Sequence, residues 1–159
     1  MRRIALAGKP NAGKSTFFSA ATMSDVEMAN YPFTTIDPNR GVAHARTRCP
    51  CQDRDGDCGI CQDGARYVPV ELVDIAGLVP GAHTGRGLGN QFLDALTTAE
   101  AIVTVIDAAG ATTAEGEPVP VGTTDPLEEV AFIEEELEAW MAQIIADNWS
   151  AVRRGARVP

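Results

Sequence analysis

No feature constrains this chain as tightly as Gly8-Lys9-Pro10-Asn11-Ala12-Gly13-Lys14-Ser15, which follows directly on the apolar run Ile4-Ala5-Leu6-Ala7. It has the G-x-x-x-x-G-K-S form of a phosphate-binding loop. An apolar strand delivers the chain, and the glycines let backbone amides curl round an anion. A helix opening at Lys14 turns the positive end of its dipole toward the same place. In such a loop Lys14 reaches the β- and γ-phosphates of a nucleotide, and the Ser15 hydroxyl is a ligand for Mg²⁺. A plain glycine-rich turn at a helix start is the alternative, and the strand-loop-helix context argues against it.

A chain of 159 residues suits one domain with a real core. It carries 22 Asp and Glu against 13 Lys and Arg, a net charge of −9, and its two lysines, Lys9 and Lys14, both lie in the phosphate loop. That balance argues against a DNA-binding surface, because neutralising phosphates takes clustered basic side chains. An acidic surface that favours Arg over Lys fits a salt-loving source, since concentrated salt shortens the reach of self-repulsion. No signal-peptide core and no membrane-length apolar run is present, so a cytoplasmic protein is expected, with its cysteines reduced or on a metal.

Ser15 to Met23 reads as the helix after the loop, with Phe17, Phe18 and Ala21 available for packing. Two prolines make the segment Asn30-Tyr31-Pro32-Phe33-Thr34-Thr35-Ile36-Asp37-Pro38-Asn39 extended. It is expected to be a first switch, whose threonine closes over Mg²⁺ and the γ-phosphate, rather than a plain surface loop. After a short strand over Gly41 to Ala45 come Cys49, Cys51, Cys58 and Cys61, in a loop over 46–65 with almost no apolar content. Their C-x-C-x6-C-x2-C spacing leaves two readings open, a tetrahedral Zn²⁺ site or reduced, redox-sensitive thiols. His44 reads as a strand-end histidine rather than a further ligand.

Tyr67 to Val73 alternates like a strand, and Asp74-Ile75-Ala76-Gly77 follows as D-x-x-G. There Asp74 would hold a Mg²⁺-bound water and the Gly77 amide would bond the γ-phosphate. Five glycines from Gly77 to Asn90 predict a mobile second switch, with His83 read as a solvent-facing loop histidine rather than a helper in hydrolysis. A helix over Gln91 to Thr98 and a buried strand over Ala101 to Asp107 complete a β-α-β-β-α-β order, hence an α/β fold with a mainly parallel sheet.

Beyond a loop over Ala108 to Thr124, Asp125-Pro126-Leu127-Glu128 reads as an N-cap, a proline at the first helical position and a glutamate at the third. Leu127, Val130, Ile133, Leu137, Trp140, Met141, Ile144 and Ile145 form an apolar stripe. Glu128, Glu129, Glu134, Glu135, Glu136 and Glu138 are expected on solvated faces. The helix either docks on the sheet or is the first arm of an antiparallel hairpin.

Taken together, G-K-P-N-A-G-K-S, N-Y-P-F-T-T-I-D-P-N and D-I-A-G-L-V-P-G-A-H-T-G-R-G-L-G-N-Q-F-L resemble the Obg/YchF family of P-loop GTPases over Ile4 to about Asp107. The cysteine insertion and the acidic helix look most like an archaeal YchF-related branch. The resemblance implies a P-loop G domain over 1–124, the first arm of an inserted helical hairpin over 125–150, and a tail over 151–159. It assigns Gly8, Asn11, Ala12, Gly13, Lys14, Ser15, Thr16, Thr35 (or Thr34), Asp74 and Gly77 to the nucleotide. Ser15, Thr35 and Asp74 would hold Mg²⁺, and Lys14 and Thr35 would act in catalysis. GTP and GDP (or ATP and ADP) are the implied ligands, with ribosomes or the translation machinery as partner.

Leu78 stands where many small GTPases keep a water-orienting glutamine, which implies slow hydrolysis with water positioned by backbone, by a K⁺ ion near Asn11 or by a partner. Thr104 stands where relatives often have histidine, so no base is assigned. No N-K-x-D base-recognition motif occurs, so the chain reads as an amino-terminal fragment and the choice between guanine and adenine stays open. Two rival readings are a nucleotide-gated interaction module with negligible hydrolysis, and a zinc-stabilised binding module with a vestigial phosphate loop.

Overall fold

The computed structural model describes residues 1–23, 38–53, 58–84 and 96–153. Strands β1 (Arg2–Ala7), β2 (Asn39–Arg48), β3 (Ala65–Asp74) and β4 (Ala101–Thr104) form one sheet in the order β2-β3-β1-β4. β1 runs parallel to β3 and β4, while β2 is antiparallel to β3. The sheet is thus mainly parallel, as the element order predicts. Helix α1 (Lys14–Thr22) follows β1, and α2 (Pro126–Asp147) and α3 (Trp149–Arg153) follow β4.

Ala5, Leu6 and Ala7 are wholly buried because β1 is covered on both faces, the usual cause of an unbroken apolar run. Successive strand side chains point to opposite faces. Ala5 and Ala7 therefore join Val73, Ile75, Leu78, Ala82, Leu96 and Ile133, whereas Leu6 joins Phe18, Ala43, Val70 and Leu72. Helix α1 supplies Phe18 to one face and α2 supplies Ile133 to the other. Phe17, a packing candidate from sequence, is exposed instead, since neighbours on a helix point about 100° apart and only one can meet the sheet.

β4 is shorter than the predicted strand and, at the edge of the sheet, exposed rather than buried. It stops at Thr104, and the Asp107 carboxylate then gathers the following turn by accepting from Ala111 N at 2.8 Å and Thr112 Oγ1 at 2.6 Å. Residues 96–97 are helical as expected, and the rest of that predicted helix, 91–95, lies outside the described residues.

Helix α2 starts as its sequence predicts: Pro126 opens it and the Asp125 side chain accepts from Leu127 N at 2.9 Å. Its inward face is rotated from the predicted stripe. Ile133 is in the core with Phe132, Leu137 and Trp140 against it, whereas Leu127, Met141 and Ile145 are exposed. Two glutamates expected in solvent, Glu129 and Glu136, are buried on that inward face. The cause is that each finds donors on the body of the protein, as described next.

Candidate functional site

The loop after β1 is shaped by what cannot fit. A Cβ on Gly8 would lie 2.3 Å from the Val105 carbonyl oxygen, so the chain passes β4 only as glycine. Gly13 takes a left-handed φ of 97° as it opens α1, and Asn11 takes 59°. Lys14 folds back over this loop, its Nζ donating to the Lys9 carbonyl oxygen at 2.7 Å. Burial pushes the Lys14 ammonium down to about 8 against the pull of Asp74 and Glu129. A cation so poor in solvent, facing a carbonyl, is prepared to gain from an anion.

Asp74 ends β3 beside Leu6 of β1, so the sheet register itself brings it to the loop. Ser15 Oγ donates to Asp74 Oδ2 at 2.7 Å, while Asp74 Oδ1 is buried with no hydrogen-bond partner among the described residues. Burial pushes the Asp74 carboxyl above its ordinary range, and Ser15, Lys14 and Asn39 pull it part of the way back. A hydroxyl and a desolvated carboxylate with a spare oxygen suit a small hard cation such as Mg²⁺.

The D-x-x-G segment lies directly on the phosphate loop. A Cβ on Gly77 would lie 2.5 Å from Pro10 N, and Leu78 N donates to the Gly8 carbonyl oxygen at 3.0 Å. The Leu78 side chain is buried in the core, so it has no reach toward a nucleophilic water. The structure thus brings together Gly8, Asn11, Ala12, Gly13, Lys14, Ser15 and Thr16 on the loop and first turn of α1, with Asp74 and Gly77 against them. Thr34 and Thr35 lie outside the described residues, as do 85–90. Thr104 is an exposed residue of β4.

Lys9, Asp107, Glu129 and Glu136, to which the sequence assigned no role in the site, build its underside. Lys9 Nζ donates to the Thr112 carbonyl oxygen at 2.9 Å, lies 3.1 Å from Glu129 Oε2 and 3.7 Å from Asp107 Oδ2. Glu136 accepts from Gly81 N at 2.6 Å and His83 N at 3.0 Å, and its Oε2 lies 2.7 Å from His83 Nδ1. His83 is therefore half-buried and partnered rather than solvent-facing. The expectation of a loose second switch is likewise revised for its first half, because Leu78, Val79 and Ala82 are buried and Glu136 fastens the turn after them. The usable signal was the seven-residue spacing of Glu129 and Glu136 astride Ile133 on one helix face. Asn11 Nδ2, meanwhile, donates to the Gly116 carbonyl oxygen at 2.8 Å, so the 108–124 loop covers the phosphate loop.

Burial pushes the Glu136 carboxyl up, but the His83 and Gly81 amides with the His83 ring outweigh it and hold it below its ordinary value of 4.5. A depressed carboxylate stabilises the fold above its unfolded pKa and loses that contribution as pH falls through its folded one. Unfolding titrations of wild type and Glu136→Gln should therefore differ at pH 7 and converge as pH drops below about 4.5. A constant difference across that range would remove the carboxylate from the role.

Cys49, Cys51, Cys58 and Cys61 converge at the other end of the β2–β3 hairpin, where Arg48 pairs with Ala65, while Asn39 pairs with Asp74 at the loop end. The Ile60 and Cys61 amides hold the Cys58 thiol down at about 6, and Cys49 and Cys61 push Cys51 up to about 12.

Residues 3–146 match the family described as 50S ribosome-binding GTPase. An uncharacterized GTP-binding protein of Methanocaldococcus jannaschii is 48% identical over 161 residues, covering 99% of this chain and 40% of that one. Obg-like ATPase 1 of Homo sapiens is 39% identical over 142 residues, covering 86% of this chain and 33% of that protein. The crystal structure of a GTP binding protein from Pyrococcus horikoshii superposes with a TM-score of 0.64 at 34% identity, over 94% of this chain and 35% of that one. The chain thus spans two fifths or less of the length of these relatives. With the match running from β1 through α2, and with motifs of the Obg/YchF type, the chain belongs to the 50S ribosome-binding GTPase family of P-loop proteins.

Proposed function

We propose that this chain binds GTP with Mg²⁺ and hydrolyses it slowly to GDP and phosphate, reporting the nucleotide state through its switch segments. The observation that carries the reading is the Ser15–Asp74 pair, whose other carboxylate oxygen has no partner among the described residues, set beside the buried Lys14. Lys14 would place its charge on the β- and γ-phosphates, and the amides of Asn11 through Ser15 would hold the phosphate oxygens as water attacks in line. Ser15, Asp74 and Thr35 are the residues that would hold Mg²⁺. When bound, that ion neutralises charge on the β- and γ-phosphates. Buried Leu78 supports a low intrinsic rate, because water must then be oriented by backbone, by K⁺ near Asn11 or by a partner.

A switch acting on cytoplasmic ribosomes fits the family description, and the exposed Met141, Ile145 and Trp149 suit the first arm of a helical hairpin over 125–150. A second reading, an ATP-preferring hydrolase, is favoured by the likeness to Obg-like ATPase 1. A fluorescent-nucleotide titration in concentrated KCl with Mg²⁺, competed by GTP, ATP, GDP and ADP, separates the two. Displacement by GTP at tenfold lower concentration than ATP is expected, and the reverse order would establish the adenine reading. A nucleotide-gated module without turnover is supported by the ties of α2 to both the loop and the second switch. Single-turnover hydrolysis with and without ribosomes tests it.

A further inference from the structure

We propose that Cys49, Cys51, Cys58 and Cys61 bind one Zn²⁺ ion in a closed four-thiolate site that gives the β2–β3 connection the core it otherwise lacks. The inference is independent of the nucleotide reading. All four Sγ atoms lie within 4.8 Å of one another, with Cys49 to Cys58 and Cys51 to Cys61 at 3.5 Å. Zinc–sulfur bonds of about 2.3 Å arranged tetrahedrally put sulfurs about 3.8 Å apart, so the four atoms already surround a point near bonding distance. A disulfide needs about 2.05 Å, and all four thiols are free. A multi-iron cluster would hold its cysteines further apart, because its metal and sulfide atoms must fit between them.

The backbone fixes both knuckles. Cys49 N donates to the Gly64 carbonyl oxygen at 2.8 Å and Gln52 N to the Cys49 carbonyl oxygen at 3.1 Å, while Gln62 and Ala65 pair across the connection. Cys51 sits in the single helical turn Pro50–Asp53, and Cys58 and Cys61 flank Gly59 with its φ of 64°. Among the described residues of this connection, only Cys49 and Ala65 at its two ends are buried, and Ile60 points into solvent. Among the described residues, no apolar cluster of this connection therefore holds the four thiols together. A cation would, and its binding releases the thiol protons to solvent.

Four protein ligands leave no open position, the mark of a structural rather than a catalytic zinc. Distance agrees: β2 carries the cluster to the far end of a ten-residue strand, about 30 Å from Asn39 and Asp74. Zinc occupancy and nucleotide binding should thus be separable.

The test uses the full chain purified in reductant. Metal analysis is expected to give about one zinc per chain. Titration of the metal-free chain with Co²⁺ should give the intense bands of tetrahedral cobalt thiolate, discharged by one equivalent of Zn²⁺. A Cys58→Ser/Cys61→Ser variant should lose at least nine tenths of its zinc while keeping nucleotide affinity within about twofold. If that variant does not fold, the wild-type cobalt spectrum decides alone. Absence of the tetrahedral spectrum, iron in place of zinc, zinc retained by the variant, or isolation as paired disulfides would each overturn the proposal.

Discussion

Replacing Lys14 by alanine is expected to reduce single-turnover hydrolysis by at least about a hundredfold, with a matching loss of triphosphate affinity. The ammonium is buried, among the described residues it donates to the Lys9 carbonyl oxygen, and burial has brought it down to about 8. Its charge is what phosphate would gain from. Wild-type affinity should accordingly weaken as pH rises above about 8, and that slope should vanish in the variant. The stability of the nucleotide-free chain should show the opposite trend. Between about 8 and the ordinary 10.5 the unfolded chain holds the extra proton, so this group's contribution rises with pH through that window. Alanine removes a buried charge and should leave the nucleotide-free chain at least as stable. Unchanged turnover and affinity would sink the assignment of the loop.

The second large effect is structural. Glu129→Gln is expected to cost about 3 kcal/mol in unfolding free energy, because it strands a buried ammonium. The Lys9 and Glu129 side chains are each 4% exposed and lie 3.1 Å apart, whereas the remaining counter-charge, Asp107, is 3.7 Å from Lys9. Glu129 Oε1 has no hydrogen-bond partner among the described residues, so the pair depends on its other oxygen. A Lys9→Met/Glu129→Leu double variant should recover most of the loss, since replacing both members of a buried pair with apolar groups of similar volume is often near neutral. Denaturant unfolding of the three proteins checks both halves. A loss below about 0.5 kcal/mol in the single variant would show that the pair is effectively solvated.

The parts of the fold legible in sequence were those encoded locally. The run Ile4 to Ala7, the glycines of the loop and the start of α1 are neighbours in the chain, so their period and turn chemistry reveal strand, loop and helix at once. Asp74 was legible because a carboxylate at a strand end, next to a glycine three residues on, is also a local pattern. The register of β3 against β1 then carries it to Ser15 without further information. Glu129 and Glu136 were misplaced for the converse reason. Helical periodicity sorts residues by polarity, and it sends a carboxylate outward unless its partner is known. Those partners are Lys9, far back in the chain, and the backbone amides of Gly81 and His83, which no side-chain pattern advertises. The same blindness put His83 in solvent.

Glu129 and Glu136 lie seven residues apart on α2, which is about 10.5 Å along the axis and within about 20° of the same side. A single stiff rod therefore stands on two footings, one in the phosphate loop and one in the turn after Gly77, with Met141 and Ile145 exposed beyond its last core contact at Trp140. A load applied to that distal half presses on both footings together. If nucleotide alters the grip of a partner there by some factor, thermodynamic reciprocity makes the partner alter nucleotide affinity by the same factor. Whatever grasps the outer end of this beam would thereby share in setting how tightly the nucleotide is held.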